Sequence, residues 1–154
     1  MESGGQTRQY LLHVPATYQP EEPAALVLVF HGAGISAERF VEYTRFSNVA
    51  DREGFLIVYP QGQGPKEEPF WDTSPGSRDV QFVSDLIDHL QRRCQIGPNR
   101  IYASGHSNGG GMVNRLGCDL AERLAAIGPV SGAYQSGSCS PSRPFPVFAI
   151  HGTA

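Results

Sequence analysis

Ser107 stands between two glycines in Gly105-His106-Ser107-Asn108-Gly109, a G-x-S-x-G arrangement. With a strand before it and a helix after it, this spacing holds a serine on a corner too tight for side chains on its neighbours. The residues preceding it, Ile101-Tyr102-Ala103-Ser104, read as a strand; Met112, Val113, Leu116, Leu120 and Leu124 follow at helical intervals. That context separates the motif from an ordinary serine in a glycine-rich turn.

The chemistry such a corner serves is nucleophilic. Ser107 Oγ would project at the carboxyl edge of a sheet and the amino end of a helix, where N–H groups and the helix dipole favour developing negative charge. The N–H of Asn108 is one candidate oxyanion donor. A second is expected from the loop after an earlier strand, and Leu26 to Phe30 runs into His31-Gly32-Ala33-Gly34. Ala33 N–H is preferred there, with Gly34 N–H the alternative.

A serine hydroxyl also needs a base, and the base needs a group that orients it. His106 adjoins the nucleophile, but side chains diverge on a tight turn, so it is read as part of the elbow. His31 is read as shaping the oxyanion loop, His151 as shaping the loop at a strand end, and His13 as a surface or packing residue.

The elements that position these residues follow from apolar patterning. Six runs, QYLLHV, ALVLVF, FLIVYP, RIYASG, LAAIGPVSG and FPVFAI, read as strands closed by Gly, Pro or Asn. Leu26 to Phe30 is apolar without alternation, as expected for a strand covered on both faces in a parallel sheet. Helical faces are marked by Val80, Val83, Leu86, Ile87, Leu90 and Cys94, and by Phe40, Val41, Thr44 and Val49 after Ser36. Strand and helix alternate, which predicts an α/β class with a mostly parallel sheet and helices on both faces.

The segment from Gly62 to Ser77 carries no periodicity and reads as a long loop. Trp71 lies within it, either to stack on a ligand ring or to pack the loop onto the domain. Asp79 is read as a helix start.

Composition narrows the partners. The 154 residues carry a formal net charge of -3 without a basic cluster, so nucleic acid is not expected. No apolar run reaches the roughly 20 residues that cross a bilayer, and MESGGQTRQY lacks the basic start and apolar stretch of a secretory signal. Cys94, Cys118 and Cys139 match no zinc spacing. A Cys118–Cys139 disulfide is open in an oxidising compartment, with three buried thiols the favoured reading.

Gly32 to Ala37 also fits G-x-G-x-x-A, but Pro60 and Gln61 end the following strand where a ribose-binding acid would stand, so no dinucleotide is expected. Asp85, Asp88 and His89 read as a solvated helix face rather than a metal site. The expectation is therefore no metal and no cofactor.

Several stretches taken together, RQYLLHVPATY, LVLVFHGAG, ADREGFLIVYPQG, DVQFVSDLIDHL, RIYASGHSNGGGM, LAAIGPVSG and PFPVFAIHGTA, resemble the polyhydroxybutyrate depolymerase and feruloyl esterase (LpqC-like) group of α/β-hydrolases. The resemblance covers nearly the whole chain. It implies an α/β-hydrolase fold and a secreted carboxylic-ester hydrolase that uses Ser, Asp and His in that chain order, on hydroxyalkanoate, feruloyl or acetyl esters.

In that group the acid follows an HGTxD sequence, and this sequence reads His151-Gly152-Thr153-Ala154. The expectation is an amino-terminal portion, residues 1–154 of one incomplete domain. It would lack the last strand and helices, be inactive alone and be aggregation-prone along FPVFAI, with the catalytic Asp and His beyond residue 154. The rival reading is a non-catalytic ligand-binding module on a hydrolase scaffold; a peptidase of the same fold is a third. The oligomeric state is not read.

Overall fold

Strands that are apolar at every position become the middle of a sheet with both faces buried. The computed structural model describes residues 1–64, 68–133 and 139–153. A five-stranded sheet is formed by β3 (Tyr10–His13), β4 (Ala24–Phe30), β5 (Leu56–Pro60), β6 (Ile96–His106) and β7 (Ala126–Val130), in the order β3-β5-β4-β6-β7. Only β3 runs antiparallel, against β5; the remaining pairs are parallel.

Leu26, Leu28, Phe30, Leu56 and Val58 point to one face and meet α3 (Arg78–Gln91) and α4 (Asn108–Asp119). Val29, Ile57 and Tyr59 point to the other and meet Ala37 and Phe40 of α1 (Ala37–Thr44) and Ala50 of α2 (Phe46–Glu53). Successive side chains of a strand alternate between faces. Helices on both sides therefore demand apolar residues at odd and even positions alike.

Ser36 caps α1 at the expected start, accepting from Arg39 N–H at 3.4 Å, while α3 is capped by Ser77, which accepts from Val80 N–H at 3.3 Å. The second predicted helix is two, because Arg45 takes a left-handed conformation (φ 51°) between α1 and α2. Asp79 does lie in the first turn of α3, but its carboxylate is buried. It accepts from Arg8 at 2.5 Å and from Asp72 N–H at 2.8 Å, tying the loop before α3 to the segment before β3.

A short hairpin, β1 (Glu2–Ser3) with β2 (Gln6–Thr7), turns on Gly4 and Gly5, both at positive φ. The sequence reading missed it although Gly-Gly is a two-residue turn signal.

The run FPVFAI forms two isolated parallel bridges to β7 rather than a continuous strand. Ile127 N–H reaches Pro146 O, Phe148 N–H reaches Ile127 O, Ile150 N–H reaches Pro129 O and Ser131 N–H reaches Ile150 O. The amide that would join these two pairs belongs to Pro129, which has none. Val147, Phe148 and Ile150 are exposed.

Cys118 and Cys139 are disulfide-bonded, correcting the favoured reading of three thiols. The pair joins the end of α4 to the segment before residue 145, a closure across 21 residues that spacing alone does not specify. Cys94 is free and half-buried, and burial pushes its thiol pKa up.

Candidate active site

Strand β6 ends at His106 and α4 begins at Asn108, so a single residue turns the chain. Ser107 takes φ 55° and ψ −120°, a conformation that costs a non-glycine residue on the order of 1–3 kcal/mol and persists only where its surroundings impose it. They do so at close range. A Cβ on Gly105 would lie 2.6 Å from Gly109 O, and one on Gly109 would lie 2.2 Å from Phe30 O. Ser107 N–H donates to Val130 O at 2.9 Å, bracing the corner against β7.

Ser107 is exposed, and Gly111 N–H is the amide that donates back to its carbonyl. By helix geometry the amides of Asn108, Gly109 and Gly110 have no acceptor within α4. The HGAG loop stands beside this corner: a Cβ on Gly32 would lie 3.5 Å from Ser107 Cβ. The structure thus places Ser107 and Asn108 beside the Gly32 end of the HGAG loop. Between the two donors left open there, Gly34 N–H is engaged by Pro69 O at 2.9 Å, which leaves Ala33, exposed on the loop, as the candidate.

His31 organises that loop from below. Gly62 N–H donates to its Nε2 at 2.9 Å, so the ring proton sits on Nδ1, which donates to Gly32 O at 2.8 Å. Desolvation by burial holds its pKa below the ordinary histidine value despite the Gly32 hydrogen bond. A neutral, single-tautomer imidazole therefore fixes the Gly32 carbonyl and the start of the long loop at once.

Trp71 takes the packing role of its two readings. It is 2% exposed, its Nε1 donates to His31 O at 3.0 Å, and its ring meets Phe30 edge-on at 5.1 Å. The Asn108 side chain completes the tie: its Oδ1 accepts from Trp71 N–H at 2.7 Å and its Nδ2 donates to Trp71 O at 3.1 Å. Sequence reasoning used only the Asn108 amide. The carboxamide role was not legible because its partner lies 37 residues away.

The remaining candidates fall where their own surroundings dictate. His106 has its Nδ1 buried without a hydrogen-bond partner among the described residues, 3.7 Å from the site of a Gly32 Cβ. His13 pairs with Asp51 at 2.6 Å on the surface, and His151 is exposed. Asp85 accepts from Ser3, Asp88 pairs with Arg123, and His89 meets the Tyr10 hydroxyl, each outward of α3. Among the described residues no group of three or more His, Cys, Asp or Glu is arranged to hold a metal, and no helix is long and apolar enough to cross a membrane. Pro65, Lys66 and Glu67 of the long loop, and Ala154, lie outside the described residues.

A cleft of about 1000 Å³ opens beside the loop, lined by Gly34, Ser36, Glu38, Arg39, Gln61 and Gln63 among others. It lies at the carboxyl ends of β4 and β5, to one side of Ser107 rather than around it.

Comparison with known proteins bears on the family and the fold. Residues 8–142 match the family model described as Esterase PHB depolymerase. The chain is 34% identical over 149 residues to a bifunctional acetylxylan esterase/xylanase of Neocallimastix patriciarum, covering 97% of this chain and 22% of that protein. It is 31% identical over 155 residues to feruloyl esterase B of Piromyces equi, covering 95% of this chain and 29% of that protein. The solved acetyl xylan esterase from Aspergillus awamori superposes with a TM-score of 0.72 at 16% identity, over 87% of this chain and 52% of that one. The chain spans about half or less of each of these proteins, and the last likeness establishes the α/β-hydrolase fold.

Proposed function

Because the chain belongs to the esterase PHB depolymerase family, we propose that it carries the nucleophile of a carboxylic-ester hydrolase, with Ser107 in that role. Ser107 Oγ adds to the ester carbonyl carbon and yields its proton to a base. The resulting oxyanion accepts from the amides of Asn108 and Ala33. Collapse of the tetrahedral intermediate expels the alcohol, protonated by the same base, and leaves an acyl-serine that water then hydrolyses. No cofactor enters these steps.

The observation that carries this reading is the strained backbone of Ser107, an exposed serine at positive φ facing the 32–34 loop. Strain of that kind is retained where the surrounding structure over-determines it, as the contacts of Gly105 and Gly109 do. Among the described residues no hydrogen bond joins Ser107 Oγ to a base. The reading assigns the base and its orienting acid to residues outside those described.

Substrates are drawn from acetyl, feruloyl and hydroxyalkanoate esters. The Cys118–Cys139 disulfide supports action in an oxidising compartment, outside the cell. A fluorophosphonate probe on the intact protein tests the reading. Covalent labelling at Ser107, abolished by Ser107→Ala together with a loss of turnover on the order of a millionfold, is expected. An unlabelled protein that still binds its ester would instead be a ligand-binding module on the hydrolase scaffold.

A further inference from the structure

We propose that Tyr43 is a specificity-determining residue, its ring forming a platform beside Ser107 for the planar aromatic group of an ester substrate. The inference rests on the Ser107 reading above and adds to it the surface that selects the substrate.

The aromatics around the site divide sharply. Trp71, Phe30 and Tyr59 are buried, and the Trp71 Nε1 and Tyr59 hydroxyl are already hydrogen-bonded. Phe70 is exposed but leans over Gly64, where a Cβ would come within 3.0 Å of its ring. Tyr43, on α1, is 71% exposed. Its ring stacks on buried Phe40 with centroids 6.0 Å apart and planes 18° apart, so one side is supported.

Its other neighbour is His106, whose ring centroid lies 6.5 Å away at a tilt of 43°. His106 immediately precedes Ser107. The site of a Gly32 Cβ is 3.7 Å from His106 Nδ1 and 3.5 Å from Ser107 Cβ, so a chain of near neighbours runs from Tyr43 through His106 and Gly32 to Ser107.

Helix α1 holds the platform in place through the Ser36 cap and the Ala37 N–H, which donates to Gln61 Oε1 at 2.8 Å. A supported ring with an open face gains from offset stacking against a second flat ring; a short aliphatic acyl group has no face to offer it. The stacking role that the sequence left open for Trp71 therefore passes to Tyr43.

The test compares methyl ferulate with methyl butyrate, which share an alcohol and differ in the acyl group, on the intact protein and its Tyr43→Ala, Tyr43→Phe and Ser107→Ala variants. Tyr43→Ala is expected to lower kcat/KM for methyl ferulate about tenfold, chiefly through KM, and to change methyl butyrate by less than about twofold. Tyr43→Phe retains the wild-type preference. Equal losses on both esters, or none on methyl ferulate, overturn the proposal.

Should the wild type cleave neither ester, fluorophosphonate labelling decides the Ser107 reading by itself. The platform is then decided by ferulate binding measured calorimetrically. Binding weakened about tenfold by Tyr43→Ala sustains it, and unchanged binding ends it.

Discussion

Two glycine-bearing turns face each other across the candidate site, and they are held by different physics. At Gly105 to Gly109 the chain has no room: the backbone of Gly109 occupies the volume a side chain on Gly105 would need, and the backbone of Phe30 and His31 that of one on Gly109. At His31 to Gly34 there is room. A Cβ on Gly32 would make ordinary contacts at 3.5 Å, and one on Gly34 would meet nothing within 4 Å. That loop is shaped instead by hydrogen bonds to His31, Pro69 and Trp71, and by the positive φ of Gly34, 76°. The same residue type answers a steric demand in one turn and a torsional one in the other.

Substitutions can break this contrast. Gly109→Ala should have the largest effect, destabilising the fold by about 3 kcal/mol or more, because backbone rather than a movable side chain stands in the way. A denaturant melt within error of the wild type would show that the elbow has slack it is denied here.

His31→Phe keeps the ring volume but strands the Gly62 N–H, with an expected cost of about 1–3 kcal/mol at pH 7. This cost should depend on pH. The folded pKa of His31 lies below the ordinary value of 6.5, so the unfolded chain binds the proton first. Stability from the neutral ring is complete above pH 6.5 and declines as the pH falls through the folded pKa. The gap between wild type and His31→Phe should accordingly narrow between pH 7 and pH 5. A gap that widened on acidification would mean that the ring is charged in the fold.

The two loop glycines sharpen the comparison at its small end. Gly34→Ala should cost about 1–2 kcal/mol, the penalty for a side chain in the left-handed region. Gly32→Ala should alter stability by less than about 1 kcal/mol. Yet its methyl group would sit beside Ser107 Cβ, so fluorophosphonate labelling should slow while the melt is unchanged. Equal thermal shifts for the two variants would erase the distinction between torsional and hydrogen-bonded control.

The legible part of the site was the part written in adjacent residues. Gly105, Ser107 and Gly109 are read together because the corner they make spans five positions. The Ser36 cap and the face from Val80 to Leu90 are equally local and are found where the periodicity places them, whereas Cys94, read on the same face, lies past the end of α3 at Gln91. Illegible were the contacts between distant segments. The Asn108 carboxamide on Trp71, the burial of Trp71, and the Arg8–Asp79 ion pair each join elements far apart in the chain. The break between α1 and α2 at Arg45 also escaped notice, since a left-handed arginine has no compositional signature.

By itself the sequence determined the class of fold, through strands apolar at every position, and the corner that holds Ser107, through glycines at fixed offsets. Both depend on interactions within a few residues, which spacing encodes. Tertiary structure alone decided that Gly34 N–H is spent on Pro69, that Cys118 joins Cys139, that Trp71 is a packing residue and that Tyr43 remains open beside His106. Those outcomes are set by which surfaces meet when the sheet is covered, and linear spacing does not specify that meeting.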